Sequence, residues 1–138
     1  MAPTPEASPA PDRVSFSADD ARLLRDTKIV EIETSGGSGA PVHRTIIWIV
    51  ADEAGRAFVR SVRGGRGRWH RELVANPHGA IIAAGRRIPV SASAADEAGV
   101  EAASRLLGEK YRTSRGSLTS MLRDDVLPTT LELEPAGG

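Results

Sequence analysis

The chain has 138 residues, balances 18 basic against 18 acidic side chains, and contains no cysteine. The length is typical of a single domain, and the balanced charge gives no general case for binding nucleic acid or an anionic membrane. The lack of cysteine excludes disulfides, thiolate zinc sites, iron–sulfur clusters and cysteine nucleophiles. No apolar run approaches the roughly 18 residues that a membrane span needs, so we expect a cytoplasmic protein with no membrane partner.

The two ends of the chain differ from its middle. The first twelve residues include four prolines and no apolar run, so they lack both the apolar segment of a signal peptide and a reason to fold. We therefore expect a disordered tail at residues 1–13, a single domain at residues 14–135 and a short tail at residues 136–138.

The first part of the domain is predicted to contain a helix and two strands. Ser17, followed by two aspartates, is typical of a helix N-cap, and the helix should end near residue 25. Alternating apolar residues predict a strand at residues 28–34, which a glycine-rich segment ends. Residues 43–51 are β-branched and apolar on both faces, so we expect a central strand of a covered sheet or barrel.

A hairpin turn at residues 52–55 is predicted to lead into a strand at residues 56–63. Side chains alternate between the two faces of a strand, so Ser61 and Arg63 should point the same way. A glycine-rich turn at residues 64–67 then ends this strand.

The second half should begin with a short helix, because Trp69 and Leu73 lie one helical turn apart. The remaining predicted elements are a hairpin of residues 79–84 and 86–93, a helix at 96–111, a short helix at 118–123 and a strand at 130–134. About six strands, mostly antiparallel and interrupted by short helices, indicate an α+β, mainly β barrel and not a parallel α/β sheet.

The strongest local feature is the segment RSVRGGRGRW at residues 60–69, within a stretch of six arginines and no acidic residue at positions 56–71. Glycines at positions 64, 65 and 67 allow positive φ angles and would turn several backbone amides toward one point, beside the start of a helix. The arginines at 63, 66 and 68 would add charge-assisted hydrogen bonds. The segment therefore predicts a site for a phosphate or carboxylate group.

Other candidate residues support two interpretations. His43 and Arg44 begin the neighbouring strand, where they could reach the same anion or mark the strand end. Trp69 could belong to the core or form the wall of a ring-binding cleft, whereas Trp48 is assigned to the core. The three histidines lack metal-binding spacing and no serine has a nucleophile motif, so we predict neither a metal site nor a catalytic serine.

The block VRSVRGGRGRWHRELVANP at residues 59–77, with the apolar strand after it, resembles the cofactor-binding segment of deazaflavin-dependent nitroreductase-type proteins. In those proteins a strand ends in Ser-Lys-Gly-Gly and is followed by a Trp and an Ala-Asn-Pro. The matching residues here are Ser61, Arg63 in place of the Lys, Gly64, Gly65, Trp69 and residues 75–77. Over residues 16–135 the sequence also resembles a bacterial family known as domain of unknown function 2255.

The resemblance implies a split β-barrel of the flavin-reductase and pyridoxamine-phosphate-oxidase type, assembled as a homodimer. It implies a cofactor-dependent oxidoreductase that binds FMN or the deazaflavin coenzyme (F-420 type) and reduces a small molecule, with no dedicated catalytic side chain. With the anion-binding interpretation, the predicted cofactor site comprises His43, Arg44, Thr45, Ser61, Val62, Arg63, Gly64, Gly65, Gly67 and Trp69.

Two alternatives use the same residues differently. The arginine-rich turn could serve a non-enzymatic module that binds nucleic acid or another polyanion, although the turn offers a single Trp for base stacking among six arginines. The chain could also be a barrel that keeps the fold without binding a cofactor.

Overall fold

The computed structural model describes residues 15–136. Within that range the chain forms four helices and seven strands, which are α1 (Ala18–Asp26), β1 (Val30–Ser35), β2 (Val42–Ile47), β3 (Val50–Ala51), β4 (Ala57–Val59), α2 (Arg68–Ala75), β5 (His78–Ala83), β6 (Arg86–Ala94), α3 (Glu97–Lys110), α4 (Arg115–Met121) and β7 (Leu131–Pro135). The predicted tails lie outside the described residues, except for Ala136, and the predicted domain limits stay a prediction.

The seven strands form one antiparallel sheet in the order β2-β1-β5-β6-β7-β4-β3. The strands at its two edges, β2 and β3, are joined by only two residues, Trp48 and Ile49. Because so short a link can connect only neighbouring chain ends, the sheet must curl until the end of β2 lies near the start of β3. The result is a split β-barrel, as predicted, with seven strands where about six were expected.

The prediction of one central strand at residues 43–51 was wrong. The segment divides into β2 and β3, which lie at opposite edges of the sheet. Ile47 and Ile49 belong to the core inside the barrel, whereas Trp48 and Val50 belong to the layer between the sheet and α3. Both faces of the segment are therefore apolar because the chain borders two cores.

Two helices close the barrel. Leu24 of α1 and Leu73 of α2 are both buried in the interior cluster. The predicted N-cap of α1 is confirmed, since the amide of Asp20 donates to the Ser17 hydroxyl at 3.1 Å. The helix predicted from the spacing of Trp69 and Leu73 is likewise present as α2.

The end of α3 holds the barrel closed from outside. The Lys110 ammonium donates to three backbone carbonyls, those of Leu24, Thr27 and Ile49. The next residue, Tyr111, donates its hydroxyl to the carbonyl of Lys28 at 2.7 Å and accepts from the amide of Ile49 at 3.3 Å. Burial raises the pKa of this hydroxyl to about 12, so it stays a donor. These bonds fix the link between β2 and β3 against α1.

The predicted strand at residues 56–63 is shorter in the structure, because β4 ends at Val59. Ser61 is 1% exposed and lies in a tight turn, while Arg63 is exposed at the surface. The two side chains therefore do not point the same way, contrary to the alternation that we expected. The turn begins earlier because the backbone amide of Ser61 donates to the side chain of Thr129 and not to a strand.

Most of the remaining predictions are confirmed. The hairpin of β5 and β6 is present, with its turn at Ala84 and Gly85, both at positive φ. Helix α3 begins after Asp96, whose carboxylate accepts from the amide of Gly99 at 2.8 Å. The short helix α4 begins three residues before the predicted start at residue 118. In β7, Leu131 and Leu133 are buried as expected.

Replacing Tyr111 by Phe should lower the free energy of unfolding by about 1–3 kcal/mol, because the amide of Ile49 loses a buried partner. Urea titration followed by circular dichroism measures this change. As a matched control, Arg112→Ala removes an exposed neighbour and should change stability by less than about 0.5 kcal/mol. Equal midpoints for Tyr111→Phe and the wild type would contradict the role assigned to the hydroxyl.

Candidate functional site

A cleft of about 710 Å³ opens beside the closure of the barrel. Residues 45–48, at the end of β2 and in the link, border it. Residues 60–63 and 67–69 border it as well, and α4 contributes Ser117, Ser120 and Met121. The volume lies in the range of roughly 300–1,000 Å³ that is usual for small-molecule sites.

The turn at residues 61–67 is held by its own hydrogen bonds. The Ser61 hydroxyl donates to the carbonyl of Gly64 at 2.8 Å, and the amide of Gly64 donates back to the carbonyl of Ser61 at 3.0 Å. The amide of Gly67 donates to the carbonyl of Gly64 at 3.4 Å. Gly64 has φ +66°, whereas Gly67 has φ −61°. The predicted convergence of the glycine amides on an anion is therefore wrong for Gly64 and Gly67, since both donate within the turn.

Unused donors lie instead at the start of α2. The structure gives the amides of Arg68 and Trp69 no acceptor among residues 15–136, as is usual for the first turn of a helix. The side chains of Arg63 and Arg68 are exposed, border the cleft and form no ion pair with another described residue. The border of the cleft therefore carries two exposed guanidinium groups, although Arg68 is close enough to Glu72 to help lower the pKa of that carboxyl.

Two tryptophans give the cleft flat apolar walls. Trp48 is half-buried and stacks on Tyr111, with ring centroids 3.8 Å apart and an angle of 2° between the ring planes. Trp69 is buried and packs in the barrel core. It also borders the cleft. Trp69 thus fits both roles left open by the sequence, and Trp48 is a cleft residue as well as a packing residue.

Arg60 is buried beside the cleft with 2% of its surface exposed. Its guanidinium donates to the Thr130 hydroxyl at 2.8 Å and to the carbonyls of Met121 and Val100, each at 3.0 Å. These acceptors are all neutral, and burial lowers the pKa of Arg60. An arginine keeps its proton under such conditions, so a full positive charge lies in the wall between β4, α3 and α4.

Comparison with known families agrees with the resemblance in the sequence. Residues 21–133 match the model of a family described as an uncharacterized protein conserved in bacteria (DUF2255). The chain belongs to the DUF2255 family. No curated protein matches it in sequence.

The fold of this DUF2255 protein is similar to several solved structures. An F420-H2 dependent reductase (FDR-A) has a TM-score of 0.59 at 20% identity, covering 77% of this chain and 93% of the other. A putative pyridoxamine 5'-phosphate oxidase from Listeria innocua has a TM-score of 0.56 at 15% identity, covering 86% and 92%. HutZ, a heme storage protein from Vibrio cholerae, has a TM-score of 0.57 at 18% identity, covering 91% and 93%. These similarities establish the split-barrel fold.

The cleft brings together six of the ten predicted site residues of the DUF2255 chain: Thr45, Ser61, Val62, Arg63, Gly67 and Trp69. Gly64 and Gly65 shape the turn behind it but do not border the cleft. His43 and Arg44 do not border it either.

His43 and Arg44 bind carboxylates of this chain. The Nδ1 atom of His43 lies 2.8 Å from Glu72, whose other oxygen accepts from the Thr34 hydroxyl at 2.7 Å. Burial alone would raise the pKa of Glu72, but these two hydrogen bonds lower it below the usual range. Arg44 donates to Glu33, and a second arginine binds the other oxygen of the same carboxylate. Both residues thus support the edge of the sheet next to the cleft.

Sequence reasoning missed Arg60, Trp48 and the residues of α4. A partial signal for Trp48 and Arg60 was available in the predicted hairpin, because the two residues lie at equal distances from its turn, two positions beyond the paired Val50 and Phe58. The contribution of α4 had no such signal, since its approach depends on packing against α3 and not on local sequence.

A second cavity of about 500 Å³ lies on the other side of the link and includes Arg25, Asp52 and Lys110. Burial lowers the pKa of Lys110 to about 8, but its nitrogen already donates to three carbonyls. Among the described residues no helix could cross a membrane and no three metal-binding side chains converge. The larger cleft is therefore the better candidate site.

Gly67→Ala should disturb the turn, because a Cβ atom there would lie 2.7 Å from the Ser61 oxygen. We expect a loss of about 1–3 kcal/mol in unfolding free energy as the bond from Ser61 to Gly64 is broken. Gly65→Ala is the matched control: its Cβ would meet nothing within 4 Å, so the change should stay below about 0.5 kcal/mol. Thermal unfolding measures both, and equal effects of the two substitutions would contradict this description of the turn.

Proposed function

We propose that this protein binds a flavin-like cofactor, FMN or the deazaflavin coenzyme, in the cleft and acts as an oxidoreductase on a small molecule. The observation that carries the proposal is a cleft that combines flat tryptophan walls with exposed arginines at its border. A planar ring bearing a phosphorylated arm matches both features.

The phosphate of such a cofactor would bind at the start of α2. The open amides of Arg68 and Trp69 and the positive end of the helix dipole favour an anion there. The guanidinium groups of Arg63 and Arg68 border the same part of the cleft and would donate charge-assisted hydrogen bonds. Arg63 occupies the position of the lysine in the resembled Ser-Lys-Gly-Gly motif, so this assignment agrees with the sequence.

The ring would lie against Trp48, whose opposite face is already covered by Tyr111. The bound ring supplies hydride transfer, and the protein provides orientation, charge and exclusion of water. Ser61 would act through its hydrogen bond to Gly64, which fixes the turn that borders the ring. No other chemistry is assigned to the side chains of this site.

The similar structures support a cofactor-binding barrel, and the residues of the cleft favour a flavin over heme. Heme proteins of this fold exist, as HutZ is described as a heme storage protein. None of the described residues that border this cleft is a histidine, the most frequent axial ligand of heme iron. A flavin-type ring needs no such ligand.

Binding of FMN and of the deazaflavin coenzyme should be detectable by fluorescence titration and by a rise in melting temperature. The double variant Arg63→Ala/Arg68→Ala should weaken FMN binding by about 10-fold or more, because two charge-assisted contacts to phosphate are lost, while its melting temperature stays nearly unchanged. Arg71→Ala, exposed on the same helix but outside the cleft, is the control and should bind normally.

The absence of binding to both cofactors at high micromolar concentration would reject the proposal. Salt-dependent binding of single-stranded DNA in its place would favour the polyanion-binding alternative.

We further propose that the protein is a homodimer with β2 at the interface. Val42 and Ile46 of this edge strand are 61% and 66% exposed, and Ile46 also borders the cleft. An uncovered edge strand with exposed apolar side chains is a pairing surface that a second copy can cover. The cleft would then lie close to the interface.

Size-exclusion chromatography with light scattering should give the mass of a dimer. Ile46→Lys should weaken dimerisation by about 10-fold or more, because a charge replaces buried apolar surface. Val74→Lys is the matched control, since Val74 is exposed to a similar extent, 62%, but lies on α2. A monomeric wild-type protein would contradict this assembly.

A further inference from the structure

We propose that Arg60 binds the negatively charged, reduced form of the ring and so makes the site hold the reduced cofactor more tightly than the oxidised one. The inference rests on the proposed function and adds to it a residue that discriminates between two states of the ligand. Under this proposal Arg60 binds the ring, whereas Arg63 and Arg68 bind the phosphate.

The hydrogen bonds of Arg60 leave its charge without a counter-ion. A guanidinium has five N–H groups, and three of those of Arg60 donate to a hydroxyl and two carbonyls. One N–H on each terminal nitrogen therefore has no acceptor among the described residues. No carboxylate of residues 15–136 forms an ion pair with Arg60 either. A buried charge without an ionic partner is costly, so an anionic ligand in the adjoining cleft would be strongly favoured.

The position of Arg60 relative to Trp48 directs this charge to the ring. Trp48 comes two residues before Val50 of β3, and Arg60 comes two residues after Phe58 of β4, and Val50 and Phe58 are paired across these antiparallel strands. Trp48 and Arg60 both border the cleft. A ring bound in this cleft would therefore have both the Trp48 indole and the buried Arg60 guanidinium at its border, whereas Arg63 and Arg68 are exposed.

The reduced ring supplies the matching charge. Uptake of two electrons and one proton by a neutral flavin-type ring leaves it with one negative charge. The oxidised ring of FMN carries no such charge at neutral pH. A fixed cation close to the ring therefore stabilises the product of reduction and leaves the affinity for the oxidised form almost unchanged.

The experiment measures the preference of the protein for reduced over oxidised FMN. The affinity for oxidised FMN is measured by fluorescence titration, and the reduction potential of bound FMN is measured anaerobically with dithionite as the reductant. We expect wild-type protein to bind reduced FMN about 10-fold more tightly, which corresponds to a potential about 30 mV above that of free FMN.

Three variants separate charge from packing. Arg60→Met removes the charge and should abolish the preference, whereas Arg60→Lys keeps the charge, loses most of the hydrogen bonds and should retain most of the preference. Arg63→Ala should weaken both oxidation states equally and leave the potential unchanged, because it contacts phosphate. Melting temperatures record how much each substitution at Arg60 destabilises the fold.

The outcomes are distinct. Wild-type protein that binds FMN without preferring the reduced form overturns the inference alone, even if Arg60→Met does not fold. Equal loss of preference in Arg60→Met and Arg60→Lys also overturns it, since Arg60 would then act only by bracing α3 and α4. Failure of wild-type protein to bind FMN in either state rejects the proposed function, and this inference with it.

Discussion

The two-residue link between β2 and β3 is the constraint on which the rest of the structure depends. Trp48 and Ile49 join the two edges of a seven-stranded sheet, so the sheet cannot open without breaking the contacts that hold them. Ile49 is buried inside the barrel, and its backbone is bound from outside by Lys110 and Tyr111. The same link turns Trp48 outward onto Tyr111, and this produces the flat wall of the cleft. Closure of the barrel and construction of the site thus depend on the same residues.

Charge in the cleft is divided between two environments. Arg63 and Arg68 are exposed, where water and salt weaken their interactions and leave them free to meet a phosphate. Arg60 is buried and bound to neutral oxygen atoms, so its field is screened much less. The exposed and the buried arginines therefore interact with the cleft in two different electrostatic environments, which is the basis of the two different roles proposed for them.

The sequence predicted the helices and hairpins well where local signals act alone. Ser17 and Asp96 cap their helices as expected, and the hairpin of β5 and β6 follows from its alternating pattern and its glycine turn. Predictions failed where tertiary contacts override a local pattern. Residues 43–51 look like one strand, but only packing against two cores reveals the break at Trp48. Arg60 belongs to an arginine-rich motif, and such a motif is typical of a solvent-exposed turn. Its burial depends on hydrogen bonds to residues 40 to 70 positions away in the chain.

The most direct test of the central claim, that the cleft beside the link binds the planar cofactor, is an amide chemical-shift map recorded while FMN is added to isotope-labelled protein. If the cleft binds FMN, the shifted amides should cluster at residues 45–48, 60–63 and 67–69, with smaller changes in α4. Shifts confined to the second cavity, around Asp52 and Lys110, would contradict it.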